Sequence, residues 1–212
     1  MITAIISDFG GVLTTPREGA CRGYQEKSGI PLGELGPAIV TIGETIGENP
    51  LFALETGRLS EAEFERLLGE QLSAQIGEKI VVSGFGEHFF SHLHVNQPMI
   101  ELMRDLQRRG LKLGLLTNNV KEWQPLWRPL WPIDELFETV VDSGFVGYRK
   151  PAPEIYEITL QEMGLRASEA LFIDDMELNC DAARALGMQT VHFRDNDQAI
   201  TEIEAVLSAQ LS

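Results

Sequence analysis

From residue 97 onward, the chain alternates between amphipathic segments and short apolar runs that are typical of buried strands. Helices are predicted at Gln97–Arg109, Ala152–Met163, Leu178–Leu186 and Asn196–Leu211, with a proline-broken helical region at Trp123–Phe137. Strands are predicted at Lys112–Leu116, Thr139–Asp142, Ala170–Ile173 and Gln189–Phe193, and a first strand at Thr3–Ser7 precedes them all. Strands that alternate with helices in this way predict parallel βαβ units and a doubly wound, Rossmann-like α/β sheet.

Residues 16 to 95 have a different sequence pattern, which predicts several helical segments and no clear strand. We expect helices at Glu18–Gly29, Leu35–Gly47, Leu51–Thr56 and Glu61–Ser73, the last opening with a capping box at Ser60 and Glu63. Such a segment is best placed above the carboxyl ends of the strands, where ligands bind in open α/β sheets. We therefore predict a catalytic core of residues 1–15 and 96–212, and a helical cap of residues 16–95 inserted after the first strand.

Polar side chains follow the predicted strands at the points where these strands end. Because parallel strands bring their carboxyl ends to one edge of the sheet, these side chains are expected to converge there. The set comprises Asp8 after the first strand, Thr117 and Asn118 after the second, Lys150 beyond the third, and Asp174 with Asp175 after the fourth.

The net charge of −15 limits the partners that this chain can take. It has no cluster of basic residues that would bind nucleic acid, and an acidic surface does not attract anionic membranes. A phosphorylated substrate would also be repelled by the field of the whole protein. A bound divalent cation at the site would offset that repulsion locally.

This set of residues suits phosphoryl transfer. Mg²⁺ prefers oxygen ligands, and Asp8 and Asp175 can hold it with Asp174 nearby. The Asp8 carboxylate can then attack phosphorus and form an aspartyl-phosphate that water hydrolyses. Lys150, the Thr117 hydroxyl and amides near Asn118 would stabilise the charge on the phosphate oxygens.

Four runs of residues resemble, in order, the motifs of haloacid dehalogenase-like hydrolases. They are Asp8-Phe9-Gly10-Gly11-Val12-Leu13, Leu116-Thr117-Asn118, Lys150-Pro151-Ala152-Pro153-Glu154 and Phe172-Ile173-Asp174-Asp175. Residues 55–64 also resemble the cap of the branch that contains the N-terminal phosphatase domain of soluble epoxide hydrolase. The resemblance implies a Rossmann-like core with a helical cap, Asp8 as nucleophile, and Mg²⁺ held partly by the backbone carbonyl of Gly10.

Gly10 is the one departure from the pattern of that family. Its phosphatases usually carry an aspartate at this position, two residues after the nucleophile, which protonates the leaving group and later activates water. Proton transfer by a positioned side chain is worth about 10²- to 10⁴-fold in rate. We therefore expect a slow enzyme, another acid, or a preference for esters whose alcohol leaves easily.

The function predicted from these features is hydrolysis of a small phosphomonoester in the cytoplasm. The partner is a small phosphorylated metabolite, and the oligomeric state is left open, with a homodimer as one possibility. One alternative is a dehalogenase that uses Asp8 on carbon without a metal. The other is a relative that binds or regulates without catalysis, for which Gly10 is the best support.

Two further clusters of side chains admit a functional interpretation. The histidines at positions 88, 92 and 94 have the spacing of a metal site, but no fourth ligand suggests itself and ordinary packing is favoured. The tryptophans at positions 123, 127 and 131 favour packing of the proline-broken helix, and the alternative is a contact with the cap or with a partner.

The two cysteines, Cys21 and Cys180, match no metal-ligand spacing, and we expect two reduced thiols. The first residues contain no basic segment or cleavage site of a secretory signal, and no apolar run approaches the length of a membrane span. A cytoplasmic location is the expectation that follows.

Overall fold

The computed structural model describes residues 1–16, 30 and 32–209. Its centre is a five-stranded parallel sheet, which confirms the predicted fold class. The strands are β1 (Ala4–Ser7), β2 (Lys112–Thr117), β3 (Thr139–Asp142), β4 (Ala170–Asp174) and β5 (Gln189–His192), in the spatial order β3-β2-β1-β4-β5. The first strand thus lies in the middle of the sheet, between β2 and β4.

The central strand is apolar on both faces because helices cover the sheet on both sides. Ile5 and Ile6 are fully buried and, as neighbours in a strand, point to opposite faces. Ile5 belongs to the larger apolar cluster and Ile6 to the smaller one. The sequence of β1 therefore fixes it as a central strand rather than an edge strand.

Helices follow the strands nearly as predicted. Those of the core are Gln97–Arg108, Pro153–Met163, Glu177–Ala185 and Asn196–Ser208. The region that prolines interrupt consists of short turns: Lys121–Trp123 and Arg128–Leu130 are 3₁₀, and Gln124–Trp127 and Ile133–Leu136 are α-helical. Two further short elements, the α-helical turn Ser143–Val146 and the 3₁₀ turn Ala167–Glu169, were not predicted from the sequence.

Between β1 and β2 the described chain contains four helices before the one at Gln97–Arg108. They are Leu32–Ile46, Pro50–Glu55, Glu61–Ile76 and Phe85–Phe90, of which the last was not predicted. The predicted helix at Glu18–Gly29, the Cys21 thiol and the end of the last predicted helix lie outside the described residues. None of the described helices is both long and apolar enough to cross a membrane.

The chain leaves the sheet region and returns to it at one place. Thr14 forms an antiparallel bridge with Val95, and the backbone amide of Asn96 donates to the Leu13 carbonyl at 2.9 Å. The position of Asn96 suggests that its side chain caps the following helix, but it makes no capping hydrogen bond. The side chain instead donates to the Val12 carbonyl at 2.7 Å. These contacts fall at the predicted cap boundaries, although the division into core and cap stays a prediction.

Asp142 is a buried carboxylate at the end of β3. Its Oδ1 caps the short helix Ser143–Val146 by accepting from the Gly144 amide at 2.9 Å, whereas its Oδ2 is buried without a hydrogen bond from the described residues. Burial raises the pKa of Asp142 to about 6, and the Gly144 amide and Arg128 only partly oppose that rise. The charged form of this group therefore destabilises the folded state at neutral pH.

We predict that Asp142→Asn stabilises the protein at neutral pH. Because the folded-state pKa is raised, the contribution of Asp142 to stability is present below pH 3.8 and is lost as the pH rises through about 6. The asparagine keeps an acceptor for Gly144 and removes the charge, so the free energy of unfolding at about pH 7 should rise by about 1–3 kcal/mol.

Urea unfolding near pH 7 and near pH 4 measures this effect, with Asp134→Asn as the matched control at an exposed carboxylate. The gain should shrink at the lower pH, where Asp142 is protonated in the folded state and only about half ionised in the unfolded state. A variant that is less stable than the wild type at neutral pH would contradict this account of Asp142.

Candidate active site

Lys150 lies at the centre of the carboxyl edge of the sheet. Its Nζ donates to Asp8 Oδ1 and Asp174 Oδ2, each at 2.7 Å, and to the Leu116 carbonyl at 2.9 Å. The residue is only 1% exposed. One ammonium group therefore joins the ends of β1, β2 and β4, and it is buried among them rather than solvated.

The backbone of Lys150 is fixed by the side chain of Asn118. The Lys150 amide donates to Asn118 Oδ1 at 2.8 Å, and Asn118 Nδ2 donates to the Lys150 carbonyl at 3.0 Å. Since its side chain is engaged in this pair of bonds, Asn118 holds the lysine loop against the end of β2. Any contact of Asn118 with a phosphate, which stays a prediction, then falls to its backbone amide.

The charges around Lys150 settle its protonation state. Burial alone lowers the pKa of an ammonium group, but the attraction of Asp174 and Asp8 outweighs this effect and raises the pKa of Lys150. Lys150 is therefore a permanent cation beside Asp8. The amide of Phe9 also donates to Asp8 Oδ1, at 2.7 Å, so that two donors orient the carboxylate.

Asp8, Asp174 and Asp175 form a possible metal site. One carboxylate oxygen from each lies within 4.8 Å of the others, and no other such group of histidine, cysteine or acidic residues occurs in the described part of the chain. Asp174 Oδ1 already accepts from the Met176 amide at 2.8 Å and from Asn179 Nδ2 at 2.9 Å. Asp174 thus orients the acidic loop.

Gly11 is required where the acidic loop meets the turn after β1. Its φ is +86°, and a Cβ at this position would lie 2.5 Å from Asp175 Oδ2. A side chain there would be strained and would also displace Asp175. The second glycine of the Asp8-Phe9-Gly10-Gly11 run therefore allows Asp175 to approach the turn that carries Asp8.

His192, at the end of β5, supports the acidic loop and was missed in the sequence. Its Nε2 lies 3.1 Å from the Asp175 carbonyl oxygen, and its Nδ1 lies 2.7 Å from Glu177 Oε2. The rule that polar residues at strand ends converge would have included it, because β5 lies beside β4 at the same edge.

A cavity of about 390 Å³ opens above this cluster. Asp8, Gly10, Thr117, Asn118 and Lys150 all line it, so that the residues predicted as nucleophile and phosphate ligands face one space. Its walls are largely apolar and come in part from the helices of residues 32–90. Among the wall residues are Leu51, Leu54, Phe85, Phe89, Phe90 and Trp123.

Trp123 fixes the helix Phe85–Phe90 against the sheet. Its ring lies parallel to Phe85 and Phe89, with centroids 6.0 and 5.8 Å away, and its Nε1 donates to Glu61 Oε1 at 2.8 Å. Gly86 is needed at this contact, since a Cβ there would lie 2.3 Å from the Trp123 ring. Trp123 therefore joins the helices of residues 32–90 to the loop after β2.

The other two tryptophans serve packing. Trp127 and Trp131 are buried, and each ring centroid lies 4.9 Å from that of Phe9, which follows Asp8 in the chain. A partner surface formed by the three tryptophans is therefore wrong. The sequence also allowed a contact of the tryptophans with the predicted cap. The packing of Trp123 on Phe85 and Phe89 agrees with that possibility.

The remaining clusters contribute no chemistry to the cavity. His92 Nδ1 lies 2.9 Å from Ser91 Oγ and 3.2 Å from the His88 carbonyl oxygen, in the turn that ends the helix Phe85–Phe90. Cys180 is a buried thiol outside any disulfide. Burial raises its pKa to about 12, so it stays protonated.

Residues 2–187 match the family of haloacid dehalogenase-like hydrolases. Over 215 residues the chain is 28% identical to acyl-CoA dehydrogenase family member 10 of Mus musculus, covering 98% of this chain and 19% of that protein. It is 26% identical over 222 residues to bifunctional epoxide hydrolase 2 of Sus scrofa, covering 99% and 40%. The chain thus spans two fifths or less of the length of these relatives. A sesquiterpene phosphatase of Aspergillus oryzae is 25% identical over 211 residues, with 96% of each chain covered.

Two solved structures illustrate the fold. One is an enzyme of the same family from Bacteroides thetaiotaomicron, solved with magnesium and inorganic phosphate. Its TM-score is 0.68 at 24% identity, and the match covers 92% of this chain and 95% of that one. The other is the L-2-haloacid dehalogenase of Xanthobacter autotrophicus, with a TM-score of 0.64, 17% identity, and coverage of 90% and 76%. Because a phosphate-bound enzyme and a dehalogenase share this fold, the fold alone does not choose between the two reactions.

We predict that Lys150→Met strongly destabilises the protein. The substitution keeps the length of the side chain but leaves Asp8 and Asp174 close together without their cation. Removing one partner of a buried ion pair costs about 3–5 kcal/mol. Chemical denaturation should show a loss of that size, whereas Lys79→Met, at an exposed position, should leave the unfolding midpoint nearly unchanged. Equal midpoints for the two variants would contradict the structural role assigned to Lys150.

Proposed function

Given that the chain belongs to the haloacid dehalogenase-like hydrolases, we propose that it is a Mg²⁺-dependent phosphatase that hydrolyses a small phosphomonoester through an aspartyl-phosphate at Asp8. The observation that carries this proposal is the buried ammonium of Lys150, 2.7 Å from Asp8 and at the floor of a cavity. The relatives include proteins named as phosphatases, such as glyceraldehyde 3-phosphate phosphatase of Pyrococcus abyssi, 37% identical over 92 residues.

The donor set at the floor of the cavity suits Mg²⁺. Asp8 and Asp175 would hold the ion together with the Gly10 carbonyl, and Asp174 would support it from beside Lys150. Three clustered carboxylates against one ammonium leave an excess of negative charge that a hard dication neutralises. When bound, Mg²⁺ supplies positive charge that lowers the repulsion between Asp8 and an anionic phosphate.

The residues of this chain carry the two steps of the reaction. A carboxylate oxygen of Asp8 attacks phosphorus, and the bond from phosphorus to the ester oxygen breaks, with its electrons passing to the departing alcohol oxygen. Water then attacks the aspartyl-phosphate, which releases inorganic phosphate and restores the Asp8 carboxylate. Lys150 and the Thr117 hydroxyl stabilise the phosphate oxygens throughout.

The partner that we propose is a small phosphorylated metabolite. The net charge of −15 disfavours nucleic acid and anionic membranes, and the cavity of about 390 Å³ has the size of a metabolite site. A homodimer stays a prediction.

We predict that Asp8→Asn abolishes turnover with little effect on folding. The amide keeps the shape of the carboxylate and one acceptor for Lys150, but it is a poor nucleophile. Hydrolysis of 4-nitrophenyl phosphate should fall by about 10³-fold or more. Circular dichroism checks the fold, and Asp134→Asn, at an exposed position, serves as the control. Wild-type turnover by Asp8→Asn would exclude Asp8 as the nucleophile.

Metal dependence separates the phosphatase from a dehalogenase. We expect excess chelator to abolish phosphatase activity and added Mg²⁺ to restore it, because the acidic cluster needs a counter-ion before it admits phosphate. Asp175→Ala should weaken Mg²⁺ binding, measured by calorimetry, about tenfold or more. Undiminished activity in chelator, or release of halide from a 2-haloacid, would favour the dehalogenase.

The Gly10 position should make the rate depend strongly on the leaving group. Without a carboxylic acid there, phenyl phosphate should be hydrolysed faster than cyclohexyl phosphate of similar size, because phenolate is the more stable anion. Gly10→Asp should raise the rate with cyclohexyl phosphate selectively, by up to about 10²-fold. Equal rates for the two esters in the wild type would show that another residue, such as Glu55 in the cavity wall, supplies the proton.

A further inference from the structure

The cavity divides into a polar floor and an apolar wall. The floor consists of Asp8, Lys150 and the residues around them, and it accounts for the phosphate. The wall faces the part of the substrate that departs from phosphorus. Its aliphatic and aromatic side chains include Leu35, Leu51, Leu54, Phe85, Phe89 and Trp123.

The three asparagines that line the cavity already have partners within the protein. Asn118 bonds to the Lys150 backbone, Asn179 Nδ2 donates to Asp174, and Asn119 Oδ1 accepts from the Val120 amide at 2.9 Å. A sugar or a polyol would need donors and acceptors of its own, since buried polar groups without partners are costly. The wall is therefore poorly suited to a polar alcohol.

The charged residues of the wall neutralise each other. Arg149 Nε donates to Glu55 Oε2 at 2.7 Å, and the guanidinium carbon lies 3.8 Å from the centroid of the Phe52 ring. Both side chains of the pair are about three-quarters buried or more. The charge of Arg149 is thus balanced by Glu55, so that this pair adds no net positive charge to the wall.

The aromatic part of the wall is preformed. Phe85 and Phe89 lie against Trp123, whose Nε1 is held by Glu61, and Glu61 also accepts from the Gly86 amide at 2.9 Å. A rigid apolar wall binds a flat apolar group with little loss of conformational entropy.

We propose that the substrate is the phosphate monoester of an uncharged aromatic alcohol whose ring system fills the apolar wall. Two independent observations converge on it: the wall favours an apolar group, and Gly10 at the floor favours an alcohol that leaves without an acid. The bond from phosphorus to oxygen breaks towards the phenolic oxygen, and the phenolate takes its proton from water. This substrate class rests on the proposed function.

The test compares kcat/KM for 2-naphthyl, phenyl and cyclohexyl phosphate and for glycerol 3-phosphate. The first two esters release phenols of similar acidity, so their ratio reports the apolar wall alone. We expect 2-naphthyl phosphate to be favoured over phenyl phosphate by about tenfold or more, since even one methylene group in an apolar pocket is worth that much. Cyclohexyl phosphate and glycerol 3-phosphate should follow in that order.

Variants of the wall locate the effect. Phe89→Ala and Leu51→Gln should each reduce the ratio of the two aryl esters at least about threefold, through a loss of apolar contact. Phe145→Ala makes the same chemical change as Phe89→Ala at an exposed position outside the cavity and should leave the ratio unchanged. If Phe89→Ala does not fold, Leu51→Gln alone decides the matter. An unchanged ratio in a folded wall variant overturns the proposal.

Different results would contradict the proposed substrate class and the proposed phosphatase function. If acetyl phosphate is hydrolysed in an Asp8-dependent manner but 2-naphthyl phosphate is no better than phenyl phosphate, the substrate class is wrong and the phosphatase remains. Preference for glycerol 3-phosphate leads to the same conclusion. If Asp8→Asn matches the wild type with every ester, the proposed function itself is wrong, and the substrate class falls with it.

Discussion

The buried ion pairs of Lys150 with Asp8 and Asp174 are the interaction on which the rest of the site depends. An ammonium group with 1% exposure loses nearly all of its hydration, and only well-placed partners offset that loss. Here the two carboxylates and the Leu116 carbonyl each lie within 2.9 Å of the nitrogen. Those acceptors belong to the ends of β1, β4 and β2. The site therefore forms only when these three strands are neighbours. The strand order thus determines the geometry of the site.

The strand order also explains which residues were predictable from the sequence. Apolar runs of four to six residues that alternate with helical segments predicted all five strands, with boundaries correct to about one residue. A parallel sheet then brings Asp8, Thr117 and Asp174 to one edge without further information. Lys150 lies eight residues beyond β3, and it was expected at the same edge because its loop follows that strand.

The features that could not be predicted from the sequence depend on side-chain packing rather than on the hydrophobic pattern. The helix Phe85–Phe90 is six residues long and begins at a left-handed Gly84 without a side-chain cap, so it carries none of the usual signals. Three of its rings pack on Trp123, a contact between residues that lie far apart in the sequence. The pair of bonds by which the Asn118 side chain holds the loop of Lys150 was likewise not predicted. Neither of these arrangements has a local signature.

The two halves of the cavity are constrained in different ways. The floor is built from strand ends and from one buried cation, so that a change at Asp8, Lys150 or Asp174 alters charge balance and packing together. The wall comes largely from helices between residues 32 and 90, and it is anchored to the floor through Trp123, which belongs to the loop after β2. An apolar wall residue can be exchanged for another of similar size at a cost of about 1.5 kcal/mol or less, whereas removal of the Lys150 ammonium from the floor costs about 3–5 kcal/mol. In the proposed reaction, the residues that carry the chemistry are fixed by the sheet. The residues that would contact the departing group belong to a separate part of the chain, which can vary without disturbing the buried ion pairs.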